Sequence, residues 1–237
     1  MFPYRACLDP VELILAESVL LLALDEAKGS AGFTHIDPGL AGALLVDLGR
    51  LGALHPVGKE LHPFEGAGIE HPVLARAATA IAASRKPRTA TSWIGRLPGE
   101  LKPLISTVAR PLVERGILAE RRVKTFGLFP GTRFPEVDLG PERMLRSRLG
   151  EVLLGGRAPQ EQDTLLLGLL EPLGLVDRLL EGHPRHQRRE ARKRAKEIAT
   201  QGIAGSAVSQ AVRDIQAAVT VAMIVPTVTG GDGGGGA

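Results

Sequence analysis

A run of arginine and lysine residues in the last quarter of the chain carries its most distinctive chemistry. Residues 185–196 contain seven Lys or Arg and one Glu, so this run carries +6 while the whole chain carries only +3. Six of the cations recur at intervals of three and four, which places them on one face of a predicted helix. They are Arg185, Arg188, Arg189, Arg192, Lys193 and Lys196. The opposite face carries Ala191, Ala195, Ile198 and Ala199.

Six like charges on one stripe repel one another, and an anionic partner relieves that repulsion. Near anionic lipid each cation contributes about 1 kcal/mol, and at nucleic-acid phosphates each adds affinity that salt weakens. The alternative is a solvated face with carboxylates nearby in the fold, such as Glu171 or Glu181. Both interpretations stay open at this point.

Catalytic and metal-binding patterns are not found elsewhere in the sequence. Cys7 is the only cysteine, and the six histidines show no zinc-site spacing. His35 and Asp37 are close in sequence, but no suitable nucleophile completes a triad. No glycine-rich loop has a phosphate-binding pattern. We therefore expect a protein that is not an enzyme and that has no cofactor and no metal.

Composition predicts a single, mainly α-helical globular domain. The chain has 237 residues, of which 44% are hydrophobic and only 3% aromatic, which favours helices packed through aliphatic side chains. We expect a domain over residues 1–229 and a disordered, glycine-rich tail over 230–237. The chain lacks Asn and prefers Arg to Lys, a usage typical of GC-rich bacterial genomes.

Hydrophobic spacing predicts a helical-bundle core with surrounding amphipathic helices and one inserted β-hairpin. Asp37 is expected to cap the second helix, and 53–57 to form a short strand before a loop over 59–71. Trp93 is expected in the core. The predicted helices span residues 11–25, 38–51, 72–84, 89–97, 100–115, 141–154, 160–170, 173–180, 184–201 and 206–225.

The hairpin is predicted to follow the helix that ends before Gly116. We expect an extended segment at Ile117–Leu118, a polar turn over 120–122 and a second strand over 123–129. Its apolar side chains make a surface larger than a short hairpin can bury alone, and contact with the domain's own core is one use for it. They are Phe126, Leu128, Phe129 and Phe134.

The order of several segments resembles the Golgi phosphoprotein 3 family over roughly residues 10 to 225. The segments are LLLALDE at 20–26, LAGALL at 40–45, LVERGIL at 112–118, FGLFPGTRFP at 126–135 and VLLGGR at 152–157. The resemblance implies a mainly helical fold and a non-enzymatic, cytoplasmic adaptor that docks on a membrane. It also implies self-association through the hairpin.

The same resemblance implies a site for the headgroup of phosphatidylinositol 4-phosphate. Eukaryotic members use a Trp, an Arg and two basic residues three apart. The basic pair corresponds to Lys102 and Ile105, the Arg to Ala41, and the Trp to the neighbourhood of Phe33. Only Lys102 keeps the family's residue type, so the resemblance supports docking on an anionic membrane more strongly than it supports headgroup specificity.

We interpret the chain as a peripheral membrane-associated protein at the inner face of a membrane, and homo-oligomerisation through the hairpin would assist its docking. No stretch has the ~20 apolar residues that a membrane-spanning helix needs. The alternative is a winged-helix-like DNA-binding regulator, with Arg121, Arg122 and Lys124 in the wing turn. Pro103 and Pro111 in the would-be recognition helix make nucleic acid the less favoured partner.

Overall fold

The computed structural model describes residues 13–25, 29–30, 36–64, 66, 68–125, 129–201 and 215–221. The predicted fold class is confirmed: the described chain is a mainly α-helical domain with small antiparallel sheets. Its helices are α1 (Leu15–Ala23), α2 (Ile36–Arg50), α3 (Pro72–Ala82), α4 (Ala90–Glu100), α5 (Leu104–Glu114), α6 (Gly140–Leu153), α7 (Glu161–Leu170), α8 (Val176–Leu179), α9 (Arg185–Gln201) and α10 (residues 215–221). Its strands are β1 (Leu54–Val57), β2 (Glu60–Pro63), β3 (Arg88–Thr89), β4 (Arg121–Thr125) and β5 (Phe129–Arg133).

Helix α1 is the centre of the bundle. Every one of its residues is buried, and α2, α5, α6 and α7 pack around it. A helix apolar on all sides belongs inside a protein, which agrees with the run of leucines at its middle. Its last carbonyls, of Ala23 and Leu24, accept hydrogen bonds of 2.8 and 3.0 Å from the Arg178 guanidinium. A cation there satisfies exposed carbonyls and complements the helix dipole.

Glycines bring α10 close to the bundle. A Cβ at Gly42 of α2 would lie 2.2 Å from Val219, and one at Gly168 of α7 would lie 2.7 Å from the Gln216 amide. Ile215 and Val219 are fully buried. The end of the described chain is therefore part of the core, and Gly42 leaves room for it on α2.

A three-stranded antiparallel sheet in the order β1-β2-β3 lies beside α3 and α4. Leu54 of β1 and Leu61 of β2 are buried, so one face of this sheet packs on the core. A two-residue turn joins the strands, and Gly58 in it has φ +62°, a conformation that favours glycine. The second sheet is the β4–β5 hairpin.

Three local predictions are wrong in position. The segment 59–71 is predicted as a loop, but it contains β2. The sequence does not reveal this strand, because the alternation of Leu61 with polar residues and prolines is too short to recognise. The predicted turn at 120–122 is wrong, because Arg121 and Arg122 belong to β4 and pair with Arg133 and Thr132 of β5. Helix α2 already begins at Ile36, so Asp37 lies in its first turn instead of capping it.

Other predicted elements agree with the structure in kind. The strand over 53–57 is confirmed as β1, and Trp93 is confirmed in the core with 1% of its surface exposed. The helix predicted over 173–180 is the shorter α8. Of the helix predicted over 206–225, residues 215–221 are helical and the rest lies outside the described residues, as does the tail over 230–237.

Candidate functional site: the basic face of α9

Helix α9 packs one face on the bundle and leaves its cations outside. It contacts α6, α7 and α8, and Ala191, Ala195 and Ile198 on the packed face are buried. The predicted apolar and basic faces are thus confirmed for this helix. Isolated helices of this length are only marginally stable in water, so burial of these side chains against the bundle stabilises α9.

Five of the six predicted cations on the basic face are exposed, and the face extends along more than three turns. Of these five, Arg192 is paired with α8, and the other four are Arg185, Arg189, Lys193 and Lys196. Of these, Lys193 lies 3.9 Å from Glu197, an exposed pair that competes only weakly with another anion. The face therefore presents positive charge that is little compensated by the protein itself.

The other two cations are partly engaged. The Arg192 guanidinium binds both carboxylate oxygens of Asp177 on α8, and this hydrogen bonding with the opposite charge raises the pKa of Arg192. Arg188 is half-buried. Asp177 is thus one of the carboxylates near the basic face, for which the sequence offers Glu171 and Glu181 as examples.

The sequence pattern omitted Arg194, which lies off the predicted stripe. Arg194 is half-buried, and one of its terminal nitrogens lies 3.2 Å from the position a Cβ would take at Gly155, beyond the end of α6. It lines a shallow groove of about 420 Å³ together with Leu154, His186 and Lys193. Arg194 belongs to this groove because α6 packs beside α9, and the spacing of residues within α9 alone does not predict that contact.

The structure separates Lys102 from the basic face. Lys102 is exposed between α4 and α5, and α5 packs on α1, α2 and α3 while α9 packs on α6, α7 and α8. Ala41 is fully buried and Ile105 is half-buried against the core, so neither offers a donor beside Lys102. Phe33 lies outside the described residues.

The four residues predicted to form the oligomer hairpin differ in how much of them the structure describes. Phe126 and Leu128 lie outside the described residues, and Phe129 is described only as part of β5. Phe134 is 3% exposed and belongs to the core. Any contact with a second subunit through this hairpin therefore falls to residues other than Phe134.

A buried cluster of charges lies at the N-terminal end of α1, opposite to the C-terminal end that Arg178 contacts. Glu17 is completely buried; its carboxylate is paired with Arg115 and lies 3.2 Å from His71 Nε2. Asp47 of α2 accepts a 3.3 Å hydrogen bond from the Ala16 amide. Burial raises the pKa of Asp47 to about 7, against the opposing effects of backbone hydrogen bonds and neighbouring positive charge.

Asp47 and His71 of this cluster line a cleft of about 880 Å³, yet the charges of the cluster already have structural partners. Glu17 and Asp47 accept hydrogen bonds from amides at the start of α1, where a helix leaves such donors unpaired. Across the described ranges, no group of three or more His, Cys, Asp or Glu side chains is arranged to hold a metal ion. We interpret the cluster as a support of α1.

None of the helices in the described part of the chain is both long and apolar enough to cross a membrane. Comparison with curated proteins gives no match. The family model described as Golgi phosphoprotein 3 (GPP34) matches residues 15–215, which include α1 through α9 and extend to the first residue of α10. The chain belongs to the Golgi phosphoprotein 3 family.

Proposed function

We propose that this protein is a non-enzymatic, peripheral membrane-associated adaptor that docks on anionic lipid through the basic face of α9. The observation that carries the proposal is the exposure of Arg185, Arg189, Lys193 and Lys196 on a helix whose other face is packed. Membership of the Golgi phosphoprotein 3 family adds support, because at the level of the family it suggests a lipid-binding adaptor.

Charge attraction of this kind is reversible and sensitive to salt. Each cation near an anionic surface contributes about 1 kcal/mol, so four give moderate binding and not permanent anchoring. Self-association through the β4–β5 hairpin would multiply these contacts on one membrane. We place the docked protein in the cytoplasm, at the inner membrane face.

Headgroup specificity is a separate part of the proposal. Lys102 is the residue that would contact the phosphate of phosphatidylinositol 4-phosphate by family resemblance. A single lysine supplies one point charge, whereas tight recognition of a phosphate monoester takes several convergent donors. We therefore expect this chain to distinguish poorly between phosphatidylinositol 4-phosphate and phosphatidylserine at equal surface charge.

The decisive experiment measures cosedimentation of the full chain with liposomes of neutral phosphatidylcholine alone or with added phosphatidylserine. Substituting Arg185→Gln, Arg189→Gln and Lys196→Gln together should lower the affinity for the anionic liposomes about a hundredfold. A matched control removes three exposed cations elsewhere, by Lys86→Gln, Arg110→Gln and Arg143→Gln. Its net charge is therefore the same as that of the first triple variant.

Equal losses in the two triple variants would mean that net charge, and not the α9 face, governs binding. Equal binding of wild type to neutral and anionic liposomes would reject the electrostatic proposal altogether. Liposomes with phosphatidylinositol 4-phosphate at matched charge then test specificity, with Lys102→Gln as the variant.

Binding to DNA is the second candidate, because Arg121 and Arg122 on β4 are exposed beside α5. Against it, α5 buries Leu104, Val108 and Leu112, and its exposed positions include Arg110 and Glu114, which form no run of base-reading side chains. Duplex DNA in a salt series decides: tight binding with a steep salt slope, and none to liposomes, would favour this candidate.

A further inference from the structure

The outer face of the β1–β2 hairpin brings together two histidines whose proximity cannot be recognised from the sequence. His55 of β1 is directly opposite His62 of β2 in the antiparallel register. Opposed residues in such a pair point to the same side of the sheet. That side faces away from Leu54 and Leu61, which are buried, so both imidazoles are on the solvent side.

The two rings are already near the spacing that a shared metal ion requires. Their centroids are 5.8 Å apart, with an angle of 33° between the ring planes. Two imidazoles on one tetrahedral ion, each with a metal–nitrogen distance of ~2.0–2.1 Å, have centroids roughly 5 Å apart. The observed centroid distance is thus within about 1 Å of the value for a shared ion.

The backbone that carries the pair is fixed on several sides. The tight turn at Gly58 closes one end of the hairpin, and Phe64 N continues the ladder at the other end with a 2.9 Å bond to Ala53 O. β2 also pairs with β3. The Phe64 ring contacts His55 edge-on at 6.4 Å. A rigid scaffold lowers the entropy lost when two ligands are brought to one ion.

We propose that His55 and His62 form an open binding site for one first-row divalent transition-metal ion, with water completing its coordination. Imidazole nitrogen suits Cu²⁺, Ni²⁺ and Zn²⁺, and does not suit Mg²⁺ or Ca²⁺. Glu60, whose carboxylate oxygen lies 3.9 Å from His62 Nε2, adds negative charge beside the ion. Lys59 in the turn opposes binding, which makes this a site of moderate affinity and not a closed structural centre.

The test is calorimetric titration of the untagged full chain with CuCl₂ and with ZnCl₂ at neutral pH. We expect one ion per chain at this site and tighter binding of Cu²⁺ than of Zn²⁺. His55→Gln and His62→Gln should each weaken binding at least about tenfold, because each turns a two-point attachment into a one-point attachment. Adding the second substitution to the first should change little more.

The matched control is His183→Gln with His186→Gln, which removes two histidines that flank Pro184 and leaves the β1–β2 pair intact. This control should bind like wild type. Loss of binding in the control with none in His55→Gln would overturn the proposal, as would the absence of saturable binding by wild type. Circular dichroism melting verifies that each variant is folded.

Electron paramagnetic resonance of the Cu²⁺ complex gives an independent readout. The wild type should show two coupled nitrogen ligands, and either single variant should show one. A wild-type spectrum with no imidazole nitrogen, or one that His62→Gln leaves unchanged, would contradict the assignment.

Discussion

Charged side chains of the same types occur in two settings in this molecule, and they have different roles there. At the start of α1, Glu17 and Arg115 form a pair whose acidic member has no exposure to solvent. On α9, Arg189 and Lys196 are exposed. The buried charges are each tied to a partner within the fold, whereas the exposed ones remain available to a partner outside it.

The comparison teaches where to look for function in this protein. A buried charge without a partner costs several kcal/mol, so interior charges must be matched during folding and are then unavailable. An exposed cation carries no such cost and contributes little to stability. Charge reversal or removal should therefore harm folding at α1 and binding at α9, and each of the following experiments tests one side of that difference.

The largest effect is expected from Arg115→Met. This change leaves the Glu17 carboxylate buried with only His71 and a backbone amide near it, and should lower the free energy of unfolding by roughly 3–5 kcal/mol. Urea denaturation measures the loss. Glu114→Gln, at the exposed neighbouring position, is the control and should change little. If Arg115→Met were neutral, α1 would not depend on this pair.

A second effect concerns pH and Asp47, whose pKa burial raises to about 7. The folded protein then holds a proton that the unfolded chain releases near pH 4, so between these values the folded state binds more protons. This contribution to stability is present at low pH and is lost as pH rises towards 7, by on the order of 3 kcal/mol.

Asp47→Asn removes the titrating group and keeps an oxygen that can accept from the Ala16 amide. The difference in unfolding free energy between wild type and variant should therefore change across pH 4–7 in favour of the variant. Thermal or urea melts at several pH values measure it. A difference that stays constant with pH would contradict the raised pKa.

A smaller effect is expected on the exposed side, from Asp177→Asn. This change frees Arg192 from its carboxylate partner and removes a negative charge near the basic face. Affinity for phosphatidylserine liposomes should rise, roughly fivefold, with little change in stability. Glu171→Gln removes one carboxylate without freeing Arg192, and is the control. An equal increase in liposome affinity in the two variants would show that the ion pair with Asp177 does not weaken the binding of Arg192 to lipid.

The smallest effect should be on stability when Arg185, Arg189 and Lys196 are all changed to Gln. Exposed substitutions away from the core usually alter the free energy of unfolding by less than about 0.5 kcal/mol each. The same triple variant should lose most of its liposome binding. Strong destabilisation would show that these cations stabilise the fold, as Arg115 does at the start of α1, and would contradict the difference between the two regions.

The sequence pattern predicts the helices and the two faces of α9 because these follow from spacing within one segment. It does not predict that Glu17 and Asp47 are buried, since both look like ordinary polar residues until α1 and α2 are packed together. The pattern does not predict the His55–His62 pair for a related reason: the two residues come together only through the register of strands that are too short to recognise. The predicted turn of the second hairpin is wrong because two consecutive arginines are typical of a polar loop.

The contact between Gly42 and Val219 has a practical consequence for anyone who shortens this chain. The family match ends at residue 215, but side chains beyond it fill the space that the glycines of α2 and α7 leave open. A truncation designed on the family boundary would strip Ala218 and Val219 from the interior and expose apolar surface. Expression boundaries for this protein should therefore extend past residue 221.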